Sequence, residues 1–138
     1  MGEHIVILED DPFLKEFYDF IFRKLDWKLT LLEDGDRFVD ILHNEVVNLV
    51  VMDINLKNTF LKGERVDGVF LSKFIKKDEK FSKIPVLIVS AYSLDKSNRK
   101  LFDDSLADDY FTKPITDVNL FLNQIKKMLD KACQKIAC

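Results

Sequence analysis

The sequence predicts an α/β protein built on one parallel β-sheet with helices on both faces. Short runs rich in Val, Ile and Leu recur along the chain, and stretches with apolar residues at helical spacing separate them. Apolar runs without strict alternation are typical of parallel strands that are covered on both faces. The regular order, with no break in composition, predicts a single domain over residues 1–138, with a core over about 4–130 and a short tail over 131–138.

Five strands and five helices are predicted, so the pattern is (βα) repeated five times. The strands are expected at His4–Leu8, Leu29–Leu32, Asn48–Met52, Ile84–Val89 and Asp109–Thr112. The helices are expected around apolar stripes at Phe13–Leu25, Phe38–Leu42, Val69–Ile75, Leu94–Phe102 and Val118–Ala132. We expect N-caps at Asp11 for the first helix and Thr116 for the last, with Pro12 at the first position of the first helix.

Composition and charge exclude several classes of protein. The 138 residues are 47% apolar and 33% charged, which argues against intrinsic disorder. The chain has no long apolar run and no positively charged signal-peptide start, and the two cysteines, Cys133 and Cys138, are too few for a disulfide framework. We therefore expect a soluble, cytoplasmic protein without a membrane partner. The net charge of −3 gives no general attraction to nucleic acid.

Polar side chains stand where the predicted strands end. Glu9 and Asp10 follow the first strand, Asp53 the third, Ser90 the fourth and Lys113 the fifth. The carboxyl ends of parallel strands share one edge, so we expect these groups to meet there. Each of them taken singly has an ordinary explanation, such as helix capping or solvation.

The combination of these groups favours phosphoryl transfer. Three carboxylates at one edge repel each other unless a cation lies among them, and carboxylate oxygens suit Mg²⁺. A metal site beside a lysine and a hydroxyl fits phosphoryl transfer with an aspartate as nucleophile. A structural Ca²⁺ site is the alternative, but it leaves Ser90 and Lys113 without a role.

Four segments, in order, resemble the receiver domain of two-component response regulators, in particular the stand-alone, chemotaxis-type receivers. The segments are ILEDDP, VVMDIN, PVLIVSAYS and DDYFTKPI, and the resemblance runs from about His4 to Leu129. It implies a flavodoxin-like, doubly wound fold. It also implies a regulatory domain that accepts a phosphoryl group from a sensor histidine kinase or a histidine phosphotransfer protein. Such a domain then signals through its own surface or relays the phosphate, and has only weak self-phosphorylation and autodephosphorylation chemistry.

The resemblance assigns the acidic residues. Asp53 matches the aspartate that accepts the phosphoryl group. The Mg²⁺ ligands would be Asp10, Asp53 and the backbone carbonyl of Asn55, with Glu9 acting largely through water. The cofactor implied is therefore Mg²⁺.

The resemblance also assigns the residues of a phosphorylation switch. Ser90 matches the hydroxyl that follows the phosphoryl group, and Lys113 matches the lysine that pairs with a phosphoryl oxygen. Tyr110 matches the aromatic residue whose rotamer reports activation, and the Lys113–Pro114 peptide bond is expected to be cis. His4 and His43 lie away from this edge and are expected to be structural or surface residues.

The segment after the third strand departs from the receiver pattern. Leu56-Lys57 stands where receivers usually have Met-Pro, and Gly68 follows Asp53 by fifteen positions, so an insertion lies within Lys57–Val66. It is either a tolerated surface loop, since extra length costs only about 0.6 kcal/mol per doubling, or a lid or partner contact. Tyr92, two residues after the switch serine, is a second feature, and we hypothesise that it restricts water at the acyl phosphate.

Two other functions are weighed against a phosphorylated receiver. A degenerate receiver would bind proteins without phosphorylation, and the unusual insertion motivates this alternative. A Mg²⁺-dependent aspartyl phosphatase would place its nucleophile after the first strand, with a second Asp two residues later. Here the nucleophile candidate, Asp53, follows the third strand and Asn55 stands two residues later, which disfavours the phosphatase.

Overall fold

The computed structural model describes residues 2–135 and contains the predicted five-stranded sheet. The sheet strands are β1 His4–Leu8, β2 Lys28–Leu32, β3 Leu49–Asp53, β6 Val86–Ser90 and β7 Asp109–Thr112. Their spatial order is β2-β1-β3-β6-β7, and all four neighbouring pairs are parallel. The helices are α1 Pro12–Phe22, α2 Gly35–Asn44, α3 Gly68–Lys77, α4 Arg99–Ser105 and α5 Val118–Lys135. The predicted fold class is confirmed.

Each face of the sheet is buried under helices, which explains why the strands read as continuous apolar runs. One core cluster joins alternate strand residues such as Val50 and Ile88 to Phe38 of α2 and Leu71 of α3. The other joins the intervening strand residues to α1 and α5, where Tyr18, Phe22, Phe121 and Ile125 are buried. Successive residues of a strand point to opposite faces, so both sets must be apolar.

Helix α1 is capped as expected, but its buried stripe differs from the predicted one. Asp11 accepts a hydrogen bond from the N–H of Phe13 at 2.9 Å, and Pro12 occupies the first turn. Phe13 itself is 83% exposed, contrary to the prediction that it belongs to the apolar face. The buried stripe passes through Tyr18 and Ile21, and Phe13 lies off it because each residue turns the helix by about 100°.

The inserted segment folds into a small antiparallel hairpin that the sequence did not predict. Its strands are β4 Phe60–Leu61 and β5 Glu64–Arg65. The turn between them is formed by Lys62 and Gly63, with φ values of 52° and 83°. Positive φ at both central residues is the two-residue turn that matches the twist of a hairpin, and glycine adopts it without strain.

Two helix boundaries differ from the predicted ones. Leu94 lies outside α4, because the Asp95 carboxylate accepts N–H bonds from Ser97 and Asn98 and forms a turn before the helix. Asp117, not Thr116, caps α5 by accepting the N–H of Leu120 at 3.0 Å.

The C-terminal end also differs from the expected short tail. Residues 131–135 continue α5, so the predicted tail is helical over this part. Cys133 lies in this helical part. Cys138 lies outside the described residues. Over residues 2–135, no helix is both long and apolar enough to cross a bilayer.

Candidate functional site

The carboxyl ends of β1 and β3, which are neighbouring strands, bring three carboxylates together. Glu9 directly follows β1, Asp10 comes next, and Asp53 is the last residue of β3. One oxygen from each of these three side chains lies within 4.8 Å of the others. Glu9 and Asp53 are buried, with 1% and 6% exposure. The fold therefore concentrates negative charge at the sheet edge where α/β proteins place their sites.

Lys113 supplies positive charge to this cluster. Its Nζ lies 3.1 Å from Asp53 Oδ1 and 3.2 Å from Glu9 Oε1. The residue follows β7, and its backbone N–H donates to the carbonyl of Ser90 at 2.7 Å, which fixes the start of the loop. The peptide bond between Lys113 and Pro114 is cis, as predicted.

The environment of Glu9 shifts its protonation. Burial, followed by the negative charge of Asp53, raises the pKa of Glu9 from 4.5 to about 7, while Lys113 opposes the shift. Burial, followed by the negative charges of Glu9 and Asp53, also raises the pKa of Tyr18 above its ordinary value. Sequence reasoning missed Tyr18 as a neighbour of the site because it reads only as an apolar position of α1.

Asp10 is held by the inserted segment. Its Oδ2 accepts the backbone N–H of Lys57 at 2.6 Å and that of Asn58 at 3.1 Å. Sequence reasoning also missed these two donors, since backbone groups leave no side-chain signature. The only available signal was that Lys57 stands where the receiver pattern has a proline, which lacks an N–H.

Two further site residues line the same edge. Asn55 donates its backbone N–H to Asp53 Oδ1 at 3.2 Å and exposes its side chain. Ser90 ends β6 and is fully buried, and in the register Asp53 pairs with Val89, the residue before it. The Ser90 Oγ accepts the backbone N–H of Tyr92 at 3.1 Å. Asp53 thus has Asn55 just beyond it in the same chain segment and Ser90 at the end of the neighbouring strand β6.

Tyr110 lies in β7, one strand further from the carboxylates. Its ring packs edge-on against Phe102 of α4 with centroids 5.7 Å apart. Its hydroxyl is buried and lacks a hydrogen-bond partner. Burying a hydroxyl without a hydrogen-bond partner costs free energy, which offsets part of the stability that the packed ring contributes.

The two histidines have structural surroundings. His4 begins β1, at the opposite end of the strand from Glu9, and its ring nitrogens contact Val46 O at 3.1 Å and Thr30 Oγ1 at 2.8 Å. His43 packs edge-on against Phe81 with centroids 5.0 Å apart. Both contacts agree with the structural role expected from the sequence.

The residues present fit a hard divalent cation. Three carboxylates cluster here, two of them buried, and one lysine contacts only the two buried ones, Glu9 and Asp53. Burial, followed by the negative charge of Asp53, raises the pKa of Glu9. A cation among the oxygens would relieve the repulsion, and Mg²⁺ takes oxygen ligands of this kind. The cluster is therefore a chemically suitable Mg²⁺ site.

Comparison with known proteins identifies the family. The model of the response regulator receiver domain matches residues 5–126. The chain belongs to this family. Receiver domains act in two-component signalling, where sensor histidine kinases phosphorylate them, so the chain is a phosphoryl-accepting, regulatory signalling domain.

Individual relatives share the domain at modest identity. The transcriptional activator protein PfeR of Pseudomonas aeruginosa is 29% identical over 112 residues, covering 81% of this chain and 33% of PfeR. The polar-differentiation response regulator DivK of Brucella ovis is 25% identical over 96% of this chain and 100% of DivK. The chain thus spans between a third and about half of the first curated relatives, PfeR and TorR of Escherichia coli (33% and 51%), and the whole of DivK.

Solved structures share the fold. The receiver domain of the sensor histidine kinase PA1611 from Pseudomonas aeruginosa has a TM-score of 0.78 at 20% identity, over 94% of this chain and 99% of that one. That structure holds a magnesium ion in its active-site cleft. At this identity the likeness establishes the receiver fold of the present chain.

Proposed function

We propose that Asp53 accepts a phosphoryl group from a phosphohistidine, and that Mg²⁺ binding at the same edge supports the transfer. The observation that carries this proposal is the contact of Lys113 Nζ with Asp53 Oδ1 at 3.1 Å, inside a cluster of three carboxylates. A degenerate receiver has no use for this set of groups. The proposal thus gives a role to the three carboxylates and to the lysine that contacts two of them.

The reaction transfers the phosphoryl group between two nucleophiles. A carboxylate oxygen of Asp53 attacks phosphorus in line, the phosphorus–nitrogen bond to the donor imidazole breaks, and the imidazole leaves with the bonding electron pair. The product is an acyl phosphate on Asp53. Lys113, already paired with this carboxylate, lies where it can pair with a phosphoryl oxygen as negative charge develops.

The metal would be held by Asp10, Asp53 and the backbone carbonyl of Asn55, with Glu9 acting through water. When bound there, Mg²⁺ would supply positive charge to neutralise the phosphoryl oxygens. Lys113 contributes positive charge next to Glu9 and Asp53.

Phosphorylation would act as a switch on the face formed by α4, β7 and α5. The Ser90 hydroxyl would turn toward the phosphoryl group and the Tyr110 side chain would shift with it, which changes the populations of two packings of this face. Slow hydrolysis by water at the same acyl phosphate would reset the domain. The output is either a contact made by this face or relay of the phosphate to another histidine.

The donor is a sensor histidine kinase or a histidine phosphotransfer protein. Support comes from the family and from DivK, a response regulator that the chain matches over its full length. Longer relatives such as PfeR carry the receiver as one part of a transcriptional activator. The cytoplasmic location expected from the sequence accords with such donors and stays a prediction.

Incubation with acetyl phosphate and Mg²⁺ tests the proposal. The intact mass should rise by about 80 Da in the wild type and stay constant in Asp53→Asn, since the amide is not a nucleophile. Lys100→Ala, at an exposed position of α4, is the control and should gain mass like the wild type. A wild type without the gain indicates a degenerate receiver. A gain that persists in Asp53→Asn assigns the acceptor elsewhere, and steady hydrolysis of generic phosphomonoesters would indicate a phosphatase.

A further inference from the structure

The inserted segment makes a direct contact with a candidate metal ligand. Asp10 Oδ2 accepts two backbone N–H groups, from Lys57 and Asn58, across 47 and 48 residues of sequence. Hydrogen bonds to a carboxylate are stronger than those between neutral groups. The Lys57 donor exists only because this chain lacks a proline at position 57, since proline has no N–H.

The segment that carries these two N–H donors is also anchored to the fold by neighbouring residues. The hydroxyl of Thr59, which is fully buried, donates to the carbonyl of Glu33 at 2.7 Å. The N–H of Val66 donates to the Thr59 carbonyl at 2.9 Å and closes the base of the hairpin. Leu56, next to Lys57, is buried in the core at 5% exposure.

A second anchor ties the hairpin to the start of α2. The N–H of Lys62 donates to the Asp36 carboxylate, 3.0 Å from Oδ1. The hairpin backbone also approaches Gly35 so closely that a Cβ there would lie 2.6 Å from the Phe60 carbonyl oxygen. The hairpin is therefore built into the fold and is not a free lid, so the two donors to Asp10 have fixed positions.

We propose that the backbone N–H groups of Lys57 and Asn58 position Asp10 for Mg²⁺. They occupy Oδ2 and fix the side-chain rotamer, which leaves Oδ1 to coordinate the cation through one oxygen. Mg²⁺ requires near-ideal octahedral geometry, so a ligand that is fixed in advance binds it better than a mobile one. This inference rests on the proposed function, because it assigns a role to the insertion within the same metal site.

The expected effect is a loss of Mg²⁺ affinity when the donor is removed. Partners that orient metal ligands typically contribute about 10–100-fold in metal affinity. Lys57→Pro removes one N–H and should raise the Mg²⁺ dissociation constant about tenfold. Lys57→Ala is the matched control, because it removes the exposed side chain and keeps the N–H, and it should bind Mg²⁺ like the wild type.

Mg²⁺ titration of the unphosphorylated protein, followed by ¹H–¹⁵N NMR, measures the affinity without any reaction. The amide protons of Lys57 and Asn58 should resonate downfield, as expected for donors to a carboxylate, and should move upfield in Asp10→Ala. If Lys57→Pro does not fold, an amide-to-ester replacement at the 56–57 linkage removes the same N–H and keeps the lysine side chain. That variant should show the same loss of affinity.

The possible outcomes distinguish the proposed metal site from the positioning role of the two N–H groups. A wild type that does not bind Mg²⁺ overturns the metal site of the proposed function, and this inference with it. A wild type that binds Mg²⁺, with equal affinity in the proline or ester variant, overturns the inference alone. Weaker binding in Lys57→Ala as well would assign the effect to the lysine side chain and would also overturn it.

Discussion

Lys113 Nζ lies 3.1 Å from Asp53 Oδ1, and the same nitrogen lies 3.2 Å from Glu9 Oε1. One cation therefore contacts two buried carboxylates, and both of its neighbours affect the protonation of Glu9. The charge of Asp53 raises the pKa of Glu9 and the charge of Lys113 lowers it.

Substitutions at the two partners of Glu9 should therefore shift its pKa in opposite directions. Asp53→Asn removes a like charge and should lower the pKa of Glu9 from about 7 toward its usual value of 4.5. Lys113→Ala removes the opposite charge and should raise it further. A ¹³C NMR titration of the Glu9 carboxyl carbon without Mg²⁺ measures both shifts. Lys100→Ala, on exposed α4, should change nothing, and shifts of the same sign in the first two variants would contradict the electrostatic account.

The raised pKa of Glu9 also predicts how stability depends on pH. The folded state holds this proton up to about pH 7, whereas the unfolded chain releases it near 4.5. The folded protein therefore binds more protons between these values, so this group lowers the free energy of unfolding as pH rises through the interval. The loss in the free energy of unfolding is absent below pH 4.5 and complete above about pH 7.

Urea denaturation of the metal-free protein and of Glu9→Gln across this interval measures the effect. The stability of the wild type relative to Glu9→Gln should fall with rising pH, because the amide does not titrate. Addition of Mg²⁺ should reduce this difference, since a cation stabilises the ionised carboxylate. A difference that grows in favour of the wild type as pH rises would mean that Glu9 has a lowered pKa.

The sheet could be predicted from the sequence because its three inner strands, β1, β3 and β6, are buried along their whole length and are therefore apolar. β1 and β7 have the expected bounds, whereas β3 and β6 end one residue later, at Asp53 and Ser90. Those two residues are polar and were therefore placed beyond the strands. In the structure both residues belong to the sheet, where Asp53 pairs with Val89 and Ser90 pairs with Thr112. Their side chains therefore lie at the shared carboxyl edge.

The features that escaped prediction depend on backbone groups or on very short elements. The two-residue strands β4 and β5 are too short to show any hydrophobic period. The bond from Lys57 N–H to Asp10 joins residues 47 positions apart through a donor that every residue except proline possesses. Phe13 was assigned to the buried face of α1 because apolar type alone does not decide between adjacent positions on a helix.

Gly68 provides a test of how closely α3 approaches the site. A Cβ at this position would lie 2.0 Å from the carbonyl oxygen of Asp53 and 2.9 Å from Cα of Ile54. Because these are backbone atoms, Gly68→Ala must displace the end of β3, and we expect a loss of about 1–3 kcal/mol in stability together with weaker phosphorylation by acetyl phosphate.

Gly63→Ala is the matched control for this substitution. Its φ of +83° disfavours alanine, but a Cβ there meets no atom within 4 Å. It should cost about 1–2 kcal/mol through backbone strain and leave phosphorylation unchanged. A Gly68→Ala protein as stable and as readily phosphorylated as the wild type would refute the close approach.

The unpaired hydroxyl of Tyr110 predicts an unusual response to its removal. A buried polar group without a partner costs about 1–3 kcal/mol, so Tyr110→Phe should leave the unphosphorylated protein as stable as the wild type or more stable. Tyr110→Ala should instead lose about 3–5 kcal/mol, because the ring packs against Phe102 at 5.7 Å. Urea denaturation distinguishes the two. Destabilisation by more than about 1 kcal/mol in Tyr110→Phe would mean that the hydroxyl has a partner.

Tyr92 is expected to prolong the phosphorylated state. Its side chain is 43% exposed, and its backbone N–H donates to Ser90 Oγ at 3.1 Å, which holds this residue beside the switch serine. From this location we expect the aromatic ring to restrict the approach of water to an acyl phosphate on Asp53. Tyr92→Ala should therefore hydrolyse several-fold faster, and Tyr92→Phe, which keeps the ring, should match the wild type. Both variants keep the backbone N–H that bonds to Ser90 Oγ, so any difference in rate comes from the ring. The measurement is the decay of the phosphorylated mass after the phosphoryl donor is removed. Equal hydrolysis rates in all three proteins would contradict this role of the ring.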